Sequence, residues 1–184
     1  MSTALIILFP GFEEIEAIST IDVLRRGGVD VTIAALNGEK NITGAHHITC
    51  VADVVGIPAK EFDAIIIPGG AGVLRLRHNT EIENLIRKQY ESGRLVAAIC
   101  AAPILLHDLE ILNKHRHTAH FSMKDTLKDA LVHELTVVDG NIITGCGPAS
   151  GINFSLAILE YLINITLVRE IAHGMMCDYW DKIV

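Results

Sequence analysis

The chain is poor in cysteine and short of positive charge, and it has no long apolar run. Its four cysteines, Cys50, Cys100, Cys146 and Cys177, lie far apart with no C-x-x-C pair. That spacing points away from a disulfide framework and from a zinc finger, and it suits a reducing cytoplasm. Lys and Arg number 15 against 22 Asp and Glu, a formal net charge of −7. Nucleic acid is therefore not an expected partner, because phosphate-backbone binding rests on clustered positive charge. No apolar stretch reaches the roughly 18 to 20 residues that span a bilayer, so a soluble protein with no membrane association is expected. The opening Met1–Phe9 lacks a basic leader, and its apolar run stops at Pro10-Gly11, which reads as a first strand rather than a signal peptide. Two N-I-T sequons, at Asn41 and Asn164, matter only in a secreted protein and are discounted. Repeats, linkers and low-complexity segments are also missing.

What remains is a chain of 184 residues, half of them hydrophobic and 20% charged. Its mean hydropathy is +0.39. This composition supplies enough apolar surface for one core and one domain, and it excludes intrinsic disorder.

Short apolar runs alternate with amphipathic stretches. Strands are expected at Ala4 to Phe9, Val29 to Ala35, Asp63 to Ile67 and Leu95 to Ile99, with a hairpin region at Ile48 to Val51. A first helix carries Ile15, Ile18, Ile21, Val23 and Leu24 and ends at Gly27-Gly28. A second runs from Thr80 to Ser92, and a third opens after Cys100 with Pro103 in its first turn. Farther on, the pattern predicts a strand at His117 to Ala119 and a helix from about Lys124 to Leu131. Next come a hairpin, Leu135 to Val138 with Ile142 to Thr144, turning at Asp139-Gly140, and a helix over Ser150 to Leu162. A last helical stretch passes through Val168, Ile171, Met175 and Met176. Nearly continuous apolar strands between helices imply a parallel sheet covered on both faces.

In such sheets ligands bind beyond the carboxyl ends of the strands. Three strand ends qualify: Phe9 to Glu16, Pro68 to Gly72, and Ala97 to Pro103. The third carries the sharpest signal. Cys100 sits between a buried strand and a helix start among small alanines, the surroundings of a nucleophile on a strained elbow. Backbone amides after it and at Gly69-Gly70 are candidate oxyanion donors. The competing reading is a buried structural cysteine. Glu13 and Glu14 read as first-turn acids that complement the helix dipole.

The segments A-A-I-C-A-A-P, I-I-I-P-G-G and E-E-I-E resemble the ThiJ/PfpI superfamily, within it the deglycase branch associated with Parkinson disease and its bacterial relatives. D-V-L-R-R-G-G at Asp22 to Gly28, T-G-C-G-P at Thr144 to Pro148 and S-L-A-I-L-E at Ser155 to Glu160 follow in the same order, so the resemblance covers essentially the whole chain. It implies one class I glutamine amidotransferase-like domain over residues 1–184, a flavodoxin-like α/β three-layer sandwich with a nucleophile elbow, and a homodimer. It also implies Cys100 as the nucleophile, a buried protonated Glu16 as its acidic partner, His120 as a proton shuttle, and backbone groups of Gly69, Gly70 and Ala101 around the oxyanion.

The activity implied is a glyoxalase III-type lyase or deglycase acting on methylglyoxal-like dicarbonyls or glycated side chains, with no cofactor and no metal. The alternative is a redox-sensing or chaperone-like stress protein that uses the same oxidisable cysteine. A weaker one is an amidase or protease, disfavoured because Ala101 stands where that branch has histidine and no residue orients His120.

The chain departs from the family at Gly44-Ala45-His46-His47, where close relatives carry a Ser-Arg pair. Cys50 falls where relatives have a cysteine toward the two-fold axis. Cys146 is placed near the site, and Cys177 has a core role. His115, His117 and His120 cluster in sequence, but no carboxylate or cysteine nearby completes a metal shell. His133-Glu134 begins an H-E-x-x-H pattern that fails at Val137. Gly145 to Ser150 lacks the last glycine of a dinucleotide loop.

Overall fold

The computed structural model describes residues 1–36 and 38–177. Strands β1 (Thr3–Leu8), β2 (Asp30–Ala35), β5 (Val54–Val55), β6 (Ala64–Ile67), β7 (Leu95–Ile99), β8 (Thr136–Asp139) and β9 (Ile142–Gly145) form one seven-stranded sheet. Its order is β5-β2-β1-β6-β7-β9-β8. Every pairing is parallel except that of β8 with β9. The central strands β6 and β7 are buried at every residue. That burial explains why these strands read as unbroken apolar runs rather than as alternating ones.

The helices are α1 (Glu14–Arg26), α2 (Thr80–Glu91), α3 (Pro103–Asp108), α4 (Gly151–Leu162) and α5 (Ile165–Gly174). From β1 the chain crosses by α1 to β2 on one side, and from β6 it crosses by α2 to β7 on the other. Right-handed crossovers that move in opposite directions place α1 and α2 on opposite faces of the sheet. α4 packs on α1, while α2 packs against β6 and β7. Helix ends follow local chemistry: Asn79 caps α2 by accepting from the Glu81 and Ile82 amides, and Gly27 closes α1. The reversal of strand order falls between β1 and β6, so the crevice at their carboxyl ends is where an open α/β sheet offers a site.

Two expected elements do not form. Residues 116–120 are not a strand, because their backbone bonds scatter instead of joining a ladder. The Arg116 amide donates to Asp139, the Thr118 amide to the Thr144 hydroxyl and the His120 amide to the Cys100 carbonyl. The Lys124 to Leu131 stretch is not a helix but a run of turns after a short 3-10 segment, Phe121–Met123. Asp125, Thr126 and Asp129 are side chains that compete with helical hydrogen bonds, and within this stretch Leu127 alone is fully buried. The hairpin near Cys50 pairs β3 (Asn41–Thr43) with β4 (Thr49–Val51) outside the main sheet. On α1, Ile21, Val23 and Leu24 face the core, whereas Ile15 and Ile18 are exposed.

Candidate active site

Three strand ends converge. β7 ends at Cys100, whose φ of 66° puts a non-glycine residue in the left-handed region. Such a conformation is costly for a side-chain-bearing residue and persists only where its surroundings hold it. Here the Cys100 amide donates to the Gly145 carbonyl at 2.8 Å, and its own carbonyl accepts from the His120 amide at 2.9 Å. The elbow is thus pinned from β9 on one side and from the 116–120 segment on the other.

β6 delivers Gly69 and Gly70. A Cβ at Gly69 would lie 2.6 Å from the Cys100 Cβ and 2.9 Å from Glu16 Oε2, so only glycine lets these two groups share the space. Gly70, at φ 97°, turns the chain sharply against the Gly11 to Glu13 backbone. The Gly69 amide donates to Glu16 Oε2 at 2.7 Å. This amide, an expected oxyanion donor, is thus taken up by Glu16. The Gly70 and Ala101 amides are the ones that point at the Cys100 sulfur.

Glu16 comes from the first turn of α1 and is wholly buried. Its other oxygen, Oε1, is buried and makes no hydrogen bond. Burial pushes this carboxyl up to about 7, although the Gly69 amide and the Cys100 thiol pull the other way. Burial together with the Glu16 charge pushes the Cys100 thiol up to about 12, against the Gly70 and Ala101 amides. The helix start that follows Cys100 does not offset this burial. α3 begins only at Pro103 and is six residues long, so its terminus is no match for burial. The pair consequently holds one proton between about pH 7 and 12.

His120 is brought to the elbow through its backbone bond to Cys100. Its Nδ1 lies 2.8 Å from the Ser122 hydroxyl, and its ring packs on Phe121 with centroids 4.2 Å apart. Ser122 is thus the orienting group for His120 that the sequence did not reveal; the H-x-S spacing across a turn was its only signal. His115 and His117 go elsewhere. His115 Nε2 meets the Tyr90 hydroxyl at 3.0 Å, and His117 Nδ1 donates to the His115 carbonyl. The donor atoms of these two and of His120 do not converge into a metal-binding set.

Glu13 and Glu14 are more than first-turn acids. Both are buried, with 8% and 4% of their surface exposed. Glu14 Oε1 accepts from the amides of His46 and Ile48, and its Oε2 meets His46 Nδ1 at 3.0 Å. Burial works against the Glu14 charge, yet these bonds hold the carboxyl below its ordinary value. A Cβ at Gly44 would run into the Glu14 carboxylate, so the departure at Gly44-Ala45-His46 forms a matched set with α1. Cys50, Cys100 and Cys146 are free thiols, and these three and Cys177 are each partly exposed. Burial, and after it the Glu14 charge, pushes the Cys50 thiol up.

The DJ-1/PfpI family model matches residues 2–161. Protein dj-1beta of Drosophila melanogaster is 37% identical over 183 residues, which cover 96% of this chain and 98% of the relative. A Caenorhabditis elegans relative named glutathione-independent glyoxalase DJR-1.2 is 39% identical, with 87% and 88% covered. The crystal structure of Drosophila melanogaster DJ-1beta superposes with a TM-score of 0.89 at 36% identity, covering 96% of this chain and 98% of that one. A structure of oxidized Toxoplasma gondii DJ-1 gives 0.89 at 28% identity, covering 96% and 98%. A left-handed elbow cysteine against a buried glutamate, on a flavodoxin-like sheet matched from end to end, leaves one assignment: the chain belongs to the DJ-1/PfpI family.

Proposed function

We propose that the protein is a cysteine-dependent glyoxalase that converts methylglyoxal-type dicarbonyls to hydroxy acids, with related deglycase action on early glycation adducts. One observation carries this reading: a strained, pinned Cys100 lies against a buried Glu16 whose second carboxyl oxygen has no partner. The pair supplies a nucleophile and a proton carrier in contact, and the reaction needs both.

In this reading the Cys100 sulfur adds to the aldehyde carbon, and the thiol proton ends on the carbonyl oxygen, giving a hemithioacetal. The Gly70 and Ala101 amides hold the oxyanion as it forms, a contribution on the order of 3 kcal/mol per donor. Glu16 takes the proton from the former aldehyde carbon and returns it to the neighbouring carbon through an enediol. The product is a thioester of Cys100. Water cleaves it to the free acid and restores the thiol, so one methylglyoxal and one water become one lactate with no net oxidation. His120, oriented by Ser122, assists the proton transfers.

A second reading is favoured by the same unpartnered oxygen. A Cys100 oxidised to sulfinate would place its oxygens among the Gly70 and Ala101 amides and a protonated Glu16, which suits a redox-responsive protein. The oxidised state named for the Toxoplasma gondii relative supports it. Exposed Ile15, Ile18, Ile48 and Val51, on α1 and on the hairpin that its first turn holds, support a homodimer through that face.

Lactate release from methylglyoxal by the reduced, metal-stripped protein, run beside Cys100→Ser, separates the readings. Many turnovers in the wild type and none in the mutant support the glyoxalase. Consumption of about one equivalent per chain without lactate, on the stoichiometry of a single nucleophile, leaves a sensor or scavenger.

A further inference from the structure

We propose that Glu13, Glu14 and His46 form a binding site for a divalent transition-metal ion of the zinc or cobalt type. The three include none of Cys100, Glu16 and His120, and 32 residues separate Glu14 from His46. The fold brings them together where the first turn of α1 meets the β3–β4 turn.

Distances make the first case. His46 Nδ1 lies 3.0 Å from Glu14 Oε2 and 3.6 Å from Glu13 Oε1, and the three donor atoms all fall within 4.8 Å of one another. Metal–ligand bonds of about 2.0 to 2.1 Å set neighbouring donors roughly 3.0 Å apart around an octahedral ion and roughly 3.4 Å apart around a tetrahedral one. The two edges that meet at His46, 3.0 and 3.6 Å, bracket those values.

Charge makes the second. The Glu13 and Glu14 side chains are 11% and 5% exposed, and among the described residues neither pairs with a lysine or arginine. The Glu13 carboxylate makes no hydrogen bond there, and the His46 ring stands 3.6 Å from it. A singly charged imidazolium would still leave the group net negative, whereas a divalent ion neutralises two carboxylates completely. The positive end of α1 opposes a cation, but its half charge is small beside two full carboxylate charges at ligand distance.

Preorganisation is the third. The His46 and Ile48 amides fix Glu14 Oε1 at 2.6 and 3.3 Å, which leaves Oε2 aimed at the imidazole. Outer bonds of this kind orient metal ligands and sharpen affinity. One nitrogen with two carboxylates selects zinc, cobalt, nickel or manganese over calcium and magnesium, which prefer oxygen alone. The ion would tie the hairpin, which lies outside the main sheet, to the helix that carries Glu16.

Cobalt(II) titration of the reduced, chelator-treated full chain tests this by visible absorbance and calorimetry. One ion per chain is expected, equally in wild type and Cys100→Ser, with no thiolate-to-cobalt band in the near ultraviolet. His46→Gln alters an exposed side chain and should keep the fold; it and Glu13→Gln should each weaken binding at least about tenfold. Absence of binding, unchanged affinity in His46→Gln, or a thiolate band lost in Cys100→Ser or Cys50→Ser would overturn the assignment.

Discussion

Glu16 and Cys100 meet across Gly69, a residue with no side chain to keep them apart. A methyl group there would fall 2.6 Å from the Cys100 Cβ and 2.9 Å from Glu16 Oε2, closer than atoms of a packed core approach. This relationship makes the carboxyl and the thiol one titrating unit. The consequences can be measured in several ways.

Gly69→Ala should separate the pair. The added methyl forces Cys100 or Glu16 to shift, at a cost of roughly 1 to 3 kcal/mol in stability. Activity should fall far more than that cost implies, because in the proposed reaction the displaced groups are the reacting ones. Thermal melting and lactate production on one sample check this; a variant that melts lower but turns over normally would contradict it.

Glu16→Gln should raise stability above neutral pH while abolishing turnover. In the fold the carboxyl ionises near 7 instead of 4.5, so the folded state holds this proton more tightly than the unfolded chain does. Stability from this group is complete below about pH 4.5 and is lost as pH rises through about 7. The full penalty at pH 8 is roughly 3 kcal/mol. Glutamine still accepts from the Gly69 amide and carries no charge. The variant should therefore melt roughly 5 to 10 °C above wild type at pH 8, with the gap closing toward pH 4.5. An equal melting point at pH 8 would show that the carboxylate is not penalised.

Ser122→Ala should touch catalysis alone. Ser122 is exposed and its hydroxyl bonds His120 Nδ1, so alanine leaves packing intact but leaves Nδ1 with only the longer bond from the residue 122 amide. The loss of one such hydrogen bond, about 1 kcal/mol, predicts a roughly fivefold fall in kcat with an unchanged melting point.

Much of this arrangement was legible before any coordinates. Cys100 stood out because a fully apolar strand, small flanking residues and a proline in the following turn are local features, and the structure places that cysteine on a left-handed elbow. The parallel sheet was legible for the same reason, since strands buried on both faces leave no polar alternation. What escaped was set by contacts distant in sequence. The destination of the Gly69 amide depends on Glu16, 53 residues away. The burial of Glu13 and Glu14 depends on a hairpin whose Gly44 makes room for a carboxylate. The strand expected near His117 failed because its amides found Asp139, Thr144 and Cys100, partners that no periodicity announces.

The sharing of one proton between Cys100 and Glu16 is tested most directly by the rate of Cys100 alkylation as a function of pH, in wild type and in Glu16→Gln. With one proton shared, Glu16 ionises near pH 7 while Cys100 stays a thiol, so alkylation of the wild type remains slow through pH 7 and rises only toward 12. In Glu16→Gln the carboxylate charge that holds the thiol up is gone, and the rise moves to lower pH. One step near the ordinary thiol value in both proteins would mean that Cys100 titrates alone, and the paired nucleophile and proton carrier at the centre of this account would fall.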